Sequence, residues 1–241
     1  MNGPCLIVSC EHGGREVPAD YAAFFAGHEA LVDSHRGWDA GAIQLGRQIA
    51  DAFGAPLYAS TTTRLLIDLN RSMGHRHLFS EVTRALARPH RQEIAFRHYR
   101  PHRDAVEHEI ARRIAGKEQV IHIASHSFTP VLNGVLRRAD VAWLYDPRRA
   151  RESALARRWQ AELAHRAPDL RLRRNYPYQG RSDGLASVLR KRHPDEAYAG
   201  IELEVNQRFV QYGGVRWATL RSNLVESLAT ALSLESIHRL G

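Results

Sequence analysis

The sequence predicts an α/β fold built on a largely parallel or mixed sheet. Short apolar runs such as Cys5-Leu6-Ile7-Val8 alternate along the chain with segments whose apolar residues recur at helical spacing. Polar, turn-forming clusters bound these runs, and no stretch reads as a linker or a repeat. With 241 residues, 44% of them hydrophobic, the chain can bury one sizeable core, so residues 1–241 are expected to form a single domain.

Residues 5–10 form an apolar run that passes into Glu11-His12-Gly13-Gly14-Arg15, as a buried central strand entering a loop would. From Asp39 to Phe53 the residues Ala42, Ile43, Leu45, Ile49 and Phe53 keep helical spacing, and Gly54 supplies a C-terminal stop. Residues 56–60 and 65–69 read as two further strands. Residues 92–116 read as helix, with Pro101 expected to break or kink it. Residues 119–125 read as a strand ending at His126-Ser127-Phe128-Thr129-Pro130, and 141–145 as another. A helix is expected over 152–167 and a short strand over 170–173. Turn-rich residues 175–183 form a long surface loop, followed by a short helix over 184–192. Residues 199–205 alternate like a strand, and 216–234 form the last helix. Ligand sites in such folds lie beyond the carboxyl ends of the strands, and the polar clusters at 11–16, 70–77 and 126–130 all directly follow strands.

The net charge is +8, and arginine supplies nearly all of the positive charge; Lys117 and Lys191 are the only lysines. The arginines are dispersed, many beside Asp or Glu in helical patterns, which reads as a solvated face. No nucleic-acid motif accompanies them, so a basic nucleic-acid binder is the least favoured class. The start, Met1-Asn2-Gly3-Pro4, lacks a basic leader, and no run approaches the roughly 20 apolar residues of a membrane helix. Cys5 and Cys10 fall on opposite faces of one strand and are poorly placed to bridge each other. A reduced, cytoplasmic protein is the simplest expectation.

Five clusters carry chemistry. His12 and His126 each stand at the end of a central strand, where two neutral imidazoles from distant segments can share a metal ion. His122 lies four residues before His126 and reads as a satisfied core histidine. Asp39 stands at a helix start, a place for a capping carboxylate that could equally bind metal; Asp33 and His35 are weaker candidates. In Arg64-Leu65-Leu66-Ile67-Asp68-Leu69-Asn70-Arg71, an arginine fork can grip a carboxylate and Asn70 can hold a carboxylate or carbonyl; Asp68 reads as structural, paired with a neighbouring arginine. Glu202 and Glu204 share one face of a strand, and one of them could serve as general base, although alternation alone fits an edge strand with a wet face.

Taken in order, these pieces resemble the N-formylglutamate amidohydrolase family. The likeness is carried by the Glu11-His12 loop, Trp38-Asp39-Ala40-Gly41-Ala42, and Arg64 through Arg71. Next come His126 through Gly134, Leu144-Tyr145-Asp146-Pro147, Asn175-Tyr176-Pro177-Tyr178 with Asp183-Gly184, and Ile201 through Gln207. The family is similar to zinc carboxypeptidases and aspartoacylase. The resemblance implies a three-layer α/β/α sandwich of the phosphorylase/hydrolase-like kind, with a mixed, largely parallel sheet and one Zn²⁺, or another divalent ion, per chain. It implies Glu204 as the catalytic glutamate, Arg64 as the group polarising the scissile carbonyl, and Asn70 and Arg71 as substrate-holding residues. The wider superfamily takes its first two ligands from His-x-x-Glu, but the third residue after His12 is Arg15. Asp39 is therefore expected as the middle ligand between His12 and His126, with Glu11 and Glu16 as alternatives. Arg137 or Arg181 would bind a second carboxylate of a small anionic N-acyl amino acid, with N-formyl-L-glutamate the first expectation. A deacylase or peptidase acting on another N-acyl amino acid or peptide is the alternative.

Overall fold

The computed structural model describes residues 4–237. The leader-free start read at residues 1–3 lies outside the described residues. Eight strands are present among them: β1 (Cys5–Cys10), β2 (Leu57–Ala59), β3 (Val120–Phe128), β4 (Val131–Leu132), β5 (Val135–Leu136), β6 (Val141–Leu144), β7 (Leu172–Arg174) and β8 (Tyr198–Asn206). Six form one sheet in the order β2-β1-β3-β8-β6-β7, and β4 pairs with β5 as a separate hairpin. Every neighbouring pair in the large sheet is parallel except β6 with β8.

Helices cover both faces, completing the three layers. On one side Leu45 and Ile49 of the Ala42–Phe53 helix, Trp159 and Leu163 of the Ala150–Arg166 helix, and Leu224 of the Gly214–Ile237 helix pack against Ile121, Ile123, Ile201 and Leu203. On the other side Val106 and Ile110 of the Arg100–Ala115 helix and Leu185 and Leu189 of the Leu185–Arg192 helix pack against Ile7, Val120 and Tyr198. A further cluster joins Tyr21, Phe25, Leu65 to Ile67, Leu69, Ile94 and Tyr99 beneath the chain that follows β2.

β3 and β8 run side by side from Val120↔Tyr198 to Phe128↔Asn206, and every residue of both is buried. The alternation in β8 therefore marks two buried faces, one apolar and one acidic, instead of an edge strand with a wet face. Glu202 and Glu204 remain only 8% and 6% exposed.

Four other elements depart from the expectation. His126 lies within β3, which continues to Phe128. The helix expected from Asp39 starts at Ala42, after Gly41 in a left-handed conformation, so Asp39 does not cap it with its side chain. Residues 65–69 form a buried turn, not a strand. Side chains take their carbonyls in place of a neighbouring strand: Ser80 and Thr83 donate to Leu65, Thr83 also to Leu66, and Arg103 to Leu69. Pro101 does not break its helix, because a widened turn over Ala95–Tyr99 joins Arg88–Ile94 to Arg100–Ala115 and accommodates a residue with no N–H to give.

Candidate metal centre and active-site cavity

The segments that follow β1 and β2, together with the carboxyl-terminal parts of β3 and β8, build the site. The loop after β1 lies flat against residues 60–63: a Cβ on Gly14 would sit 2.3 Å from the Thr61 carbonyl oxygen, so only glycine fits there. The Asp39 N–H bonds the His12 carbonyl at 2.9 Å, and the Arg64 N–H bonds the Gly37 carbonyl at 3.0 Å. Backbone hydrogen bonds thus fix three segments relative to one another before any side chain acts.

The side chains of His12, Asp39 and His126 converge. They are all buried, and one ligand atom from each lies within 4.8 Å of the others. The ring centroids of His12 and His126 are 5.2 Å apart. Asp39 Oδ2 stands 3.4 Å from His12 Nδ1 and 2.9 Å from His126 Nδ1. His12 Nδ1 is buried without a hydrogen-bond partner. An unmatched imidazole nitrogen beside a carboxylate and a second imidazole is a donor set that fits a zinc-like cation. Glu16, by contrast, is exposed and accepts from Thr61 Oγ1 at 2.6 Å.

Each imidazole also meets a second carboxylate. His12 Nε2 is 2.7 Å from Asp68 Oδ1, and His126 Nε2 is 3.1 Å from Glu11 Oε2. Arg64 bonds Asp39 Oδ1 at 3.3 Å and Asp68 Oδ2 at 2.6 Å, tying the two acids together. Despite burial, His12 and then its hydrogen bond, with His126 and Arg64, hold the Asp39 carboxyl far below its ordinary range. Burial opposes ionisation of Asp68 as well, but Arg64 and His12 keep it deeply ionised. The Asp68–Arg64 contact matches the structural pairing read from the sequence.

A cavity of about 270 Å³ opens over this centre, lined among others by Arg64, Asn70, Arg71, Tyr178, Glu202 and Glu204. Glu204 is the cross-strand neighbour of His126, and Glu202 that of Ala124. Burial pushes the Glu204 carboxyl up to about 8, against the pull of His126 and with an added push from Asp39 and Glu202. Its Oε2 has no hydrogen-bond partner. Burial raises the Glu202 carboxyl too, and Arg190, His126 and a hydrogen bond from Asn70 hold it back. Asn70 Oδ1 accepts from the Leu185 N–H at 2.7 Å. Asn70 therefore commits its amide oxygen to the protein while facing the cavity. Arg71 donates to the Asp183 carbonyl at 2.7 Å. Behind it, Tyr99 Oη donates to the Arg71 carbonyl at 2.7 Å, so the widened helical turn braces this loop.

Arg137 lies at the end of the β4–β5 hairpin and donates to Tyr178 Oη at 3.2 Å, while Tyr178 itself lines the cavity. Arg181 is not among the cavity-lining residues. It lines a separate depression with Arg148, Arg149 and Lys191, because the 175–183 loop turns it away from the metal centre. The sequence placed Asp183 and Gln207 in segments that carry the family likeness but gave them no role, and it did not mark His102 at all. Asp183 receives hydrogen bonds from the Ser72 N–H and hydroxyl and lines the cavity. His102 directly follows the proline expected to disrupt its helix, which hid the side chain's placement. Gln207, at the end of β8, donates to Ser127 Oγ at 3.1 Å.

The fold and the site define an α/β/α sandwich with a buried His-Asp-His cluster at the carboxyl edge of its sheet. The profile of the N-formylglutamate amidohydrolase family matches residues 5–210, and the chain belongs to that family of amidohydrolase enzymes. Among solved structures, gene product Atu2144 from Agrobacterium tumefaciens is similar over 97% of this chain and 92% of its own, with 26% identity and a TM-score of 0.82. N-formylglutamate amidohydrolase from Ralstonia eutropha JMP134 is similar over 100% of this chain and 96% of its own, with 18% identity and a TM-score of 0.71, a likeness of fold. Among curated proteins none matches the sequence. No helix among the described residues is long and apolar enough to cross a membrane.

Proposed function

We propose that the chain, acting as a single catalytic domain, hydrolyses the amide bond of a small N-acyl amino acid in a metal-dependent reaction. N-formyl-L-glutamate, giving L-glutamate and formate, is the first substrate to test. One observation carries this reading: three buried ligand atoms within 4.8 Å of one another stand under a cavity that also holds a buried, partnerless carboxylate and an arginine.

His12, Asp39 and His126 would hold one Zn²⁺ or another divalent ion. Such an ion, when bound, polarises a carbonyl and lowers the pKa of water from 15.7 toward about 7. Glu204 accepts the proton of the attacking water and returns it to the leaving amine as the C–N bond breaks. Burial, which raises this carboxyl above its ordinary range, favours its taking up that proton. Arg64 donates toward the oxygen that gains charge as water adds to the carbonyl, a role in which one donor is typically worth roughly 3–4 kcal/mol. Arg71 offers its remaining N–H groups to a substrate carboxylate, and Asn70, whose amide oxygen is taken by the Leu185 N–H, offers its amide nitrogen. The free cysteines Cys5 and Cys10 suit a reducing compartment such as the cytoplasm.

A formate-release assay on N-formyl-L-glutamate, run before and after treatment with a chelator, tests the reading. Activity is expected to vanish on chelation and to return with zinc. Full activity in metal-free protein would end it.

One observation favours a second reading, in which the same chemistry serves another N-acyl amino acid or a peptide. Arg181 faces a different depression, and Arg137 is engaged by Tyr178, so among the described residues Arg64 and Arg71 are the arginines that line the cavity. A substrate with a single carboxylate would fit that arrangement. Turnover of formyl-, acetyl- and succinyl-amino acids, compared side by side, separates the two.

A further inference from the structure

The reaction as proposed leaves Glu11 unused. Its side chain is fully buried, and neither oxygen has a hydrogen-bond partner of good geometry. Among the described residues its ion-pair neighbours are two imidazoles: His126 Nε2 at 3.1 Å from Oε2, and His102 Nε2 at 3.7 Å from Oε1. A carboxylate held out of water without an arginine or a backbone N–H is strongly unfavourable unless those imidazoles need it.

Both ligand rings follow one plan. His12 turns Nδ1 toward Asp39 Oδ2 and Nε2 toward Asp68. His126 turns Nδ1 toward the same Asp39 oxygen and Nε2 toward Glu11. The two nitrogens of an imidazole flank one carbon, but their lone-pair and N–H directions point well away from each other. Glu11 therefore stands on the far side of His126 from Asp39, where it cannot share an ion held at Nδ1. An imidazole can ligate through Nδ1 only if its proton sits on Nε2, and an acceptor at Nε2 fixes that tautomer and orients the ring.

We propose that Glu11 is a positioning residue of the metal centre: it accepts a hydrogen bond from the Nε2–H of His126 and holds the bare Nδ1 toward Asp39 and His12. The inference rests on the metal-dependent reading above. His102, from the first turn of the Arg100–Ala115 helix just past the widened turn, backs the other oxygen of Glu11.

The test reads zinc affinity of the metal-free full chain by competition with a chromophoric chelator, beside thermal unfolding of the same metal-free samples. Glu11→Gln keeps an acceptor and loses the charge, and is expected to bind zinc about 10-fold more weakly; Glu11→Leu loses both, and about 100-fold is expected. The metal-free Tm should show no matching fall. By NMR of the zinc-loaded chain, the His126 Nε2–H resonance should be present in wild type and lost in Glu11→Leu. Zinc affinities within twofold of wild type in both variants overturn the proposal, as does a loss that only tracks a lower metal-free Tm. His126→Ala separates the two levels. Wild-type affinity in that variant sinks the metal site itself, whereas weak binding there beside unaffected Glu11 variants sinks only the role of Glu11.

Discussion

Two carboxylates and one histidine show how neighbours assign roles to titratable groups. Asp39 is buried and stays ionised because His12, His126 and Arg64 surround it. Glu204 is buried among fewer compensating charges and is pushed up to about 8. Glu204→Gln keeps the shape and removes the proton acceptor, so zinc content should be retained while kcat falls by about 10²–10⁴. Metal analysis and a formate assay on the same sample check this; a variant with most of the wild-type rate would remove Glu204 from the chemistry. His122 is the contrasting case. It is fully buried, with Nε2 2.8 Å from Ser9 Oγ and Nδ1 2.9 Å from Tyr198 Oη, and burial pushes it down to about 4. An unfolded histidine titrates near 6.5. Above about 6.5 both states hold a neutral ring and the contribution to stability is complete. As pH falls from about 6.5 toward about 4, the unfolded chain takes up a proton that the native ring refuses, and stability drops by up to about 1.4 kcal/mol per pH unit. Urea unfolding at pH 7, 6 and 5 should show a smaller acid loss in His122→Gln than in wild type; equal losses would contradict this account of His122.

At the scale of elements, the strands that frame the site were legible and the loops between them less so. Residues 5–10 and 199–205 read as strands because apolar runs and strict alternation leave few other structures open. The same alternation misled about depth: a buried acidic face and a wet one share one pattern, and only the neighbours β3 and β6 distinguish them. Residues 65–69 looked like a strand because they are apolar, yet their carbonyls are taken by side chains from residues 80–103, which local sequence does not reveal. The β4–β5 hairpin had a readable signal in Asn133-Gly134, whose φ angles of 50° and 76° suit a tight hairpin turn. His12 and His126 could be picked out because each stands at a polar cluster after an apolar run, and Asp39 because it stands at an expected helix start and the family resemblance needed a middle ligand; nothing local marked Arg181 as facing elsewhere. One long-range tie locks the helices that flank β8. Glu152, fully buried, accepts from Arg190 Nε at 2.9 Å, from the Gly200 N–H at 3.0 Å and from the Asp146 N–H at 2.9 Å. Glu152→Ala would strand a buried guanidinium and two backbone donors, and should cost about 3–5 kcal/mol. Chemical denaturation measures this directly, and a loss below about 1 kcal/mol would show that water or Asp146 takes over.

Across the whole molecule, the candidate metal centre joins segments that the chain keeps far apart. His12 follows β1, Asp39 lies in the loop before the Ala42–Phe53 helix, and His126 sits in β3, more than a hundred residues after His12. An unfolded chain scatters these groups, so an ion that binds all three binds the native state alone. Such binding raises stability by RT ln(1 + [M]/Kd), about 2.7 kcal/mol when free metal is a hundred times Kd. For a chain of this length each kcal/mol moves Tm by about 2–4 °C, so zinc should raise the wild-type Tm by about 5–10 °C. Fourteen histidines also offer weak sites elsewhere on the chain, which makes the variants decisive. His126→Ala should lose nearly all of the zinc-induced shift, and removal of one exposed histidine outside the cluster, such as His165 near the end of the Ala150–Arg166 helix, should lose none. Scanning calorimetry with and without zinc reads both. Equal shifts in wild type and His126→Ala would place the stabilising ion somewhere other than the carboxyl edge of the sheet.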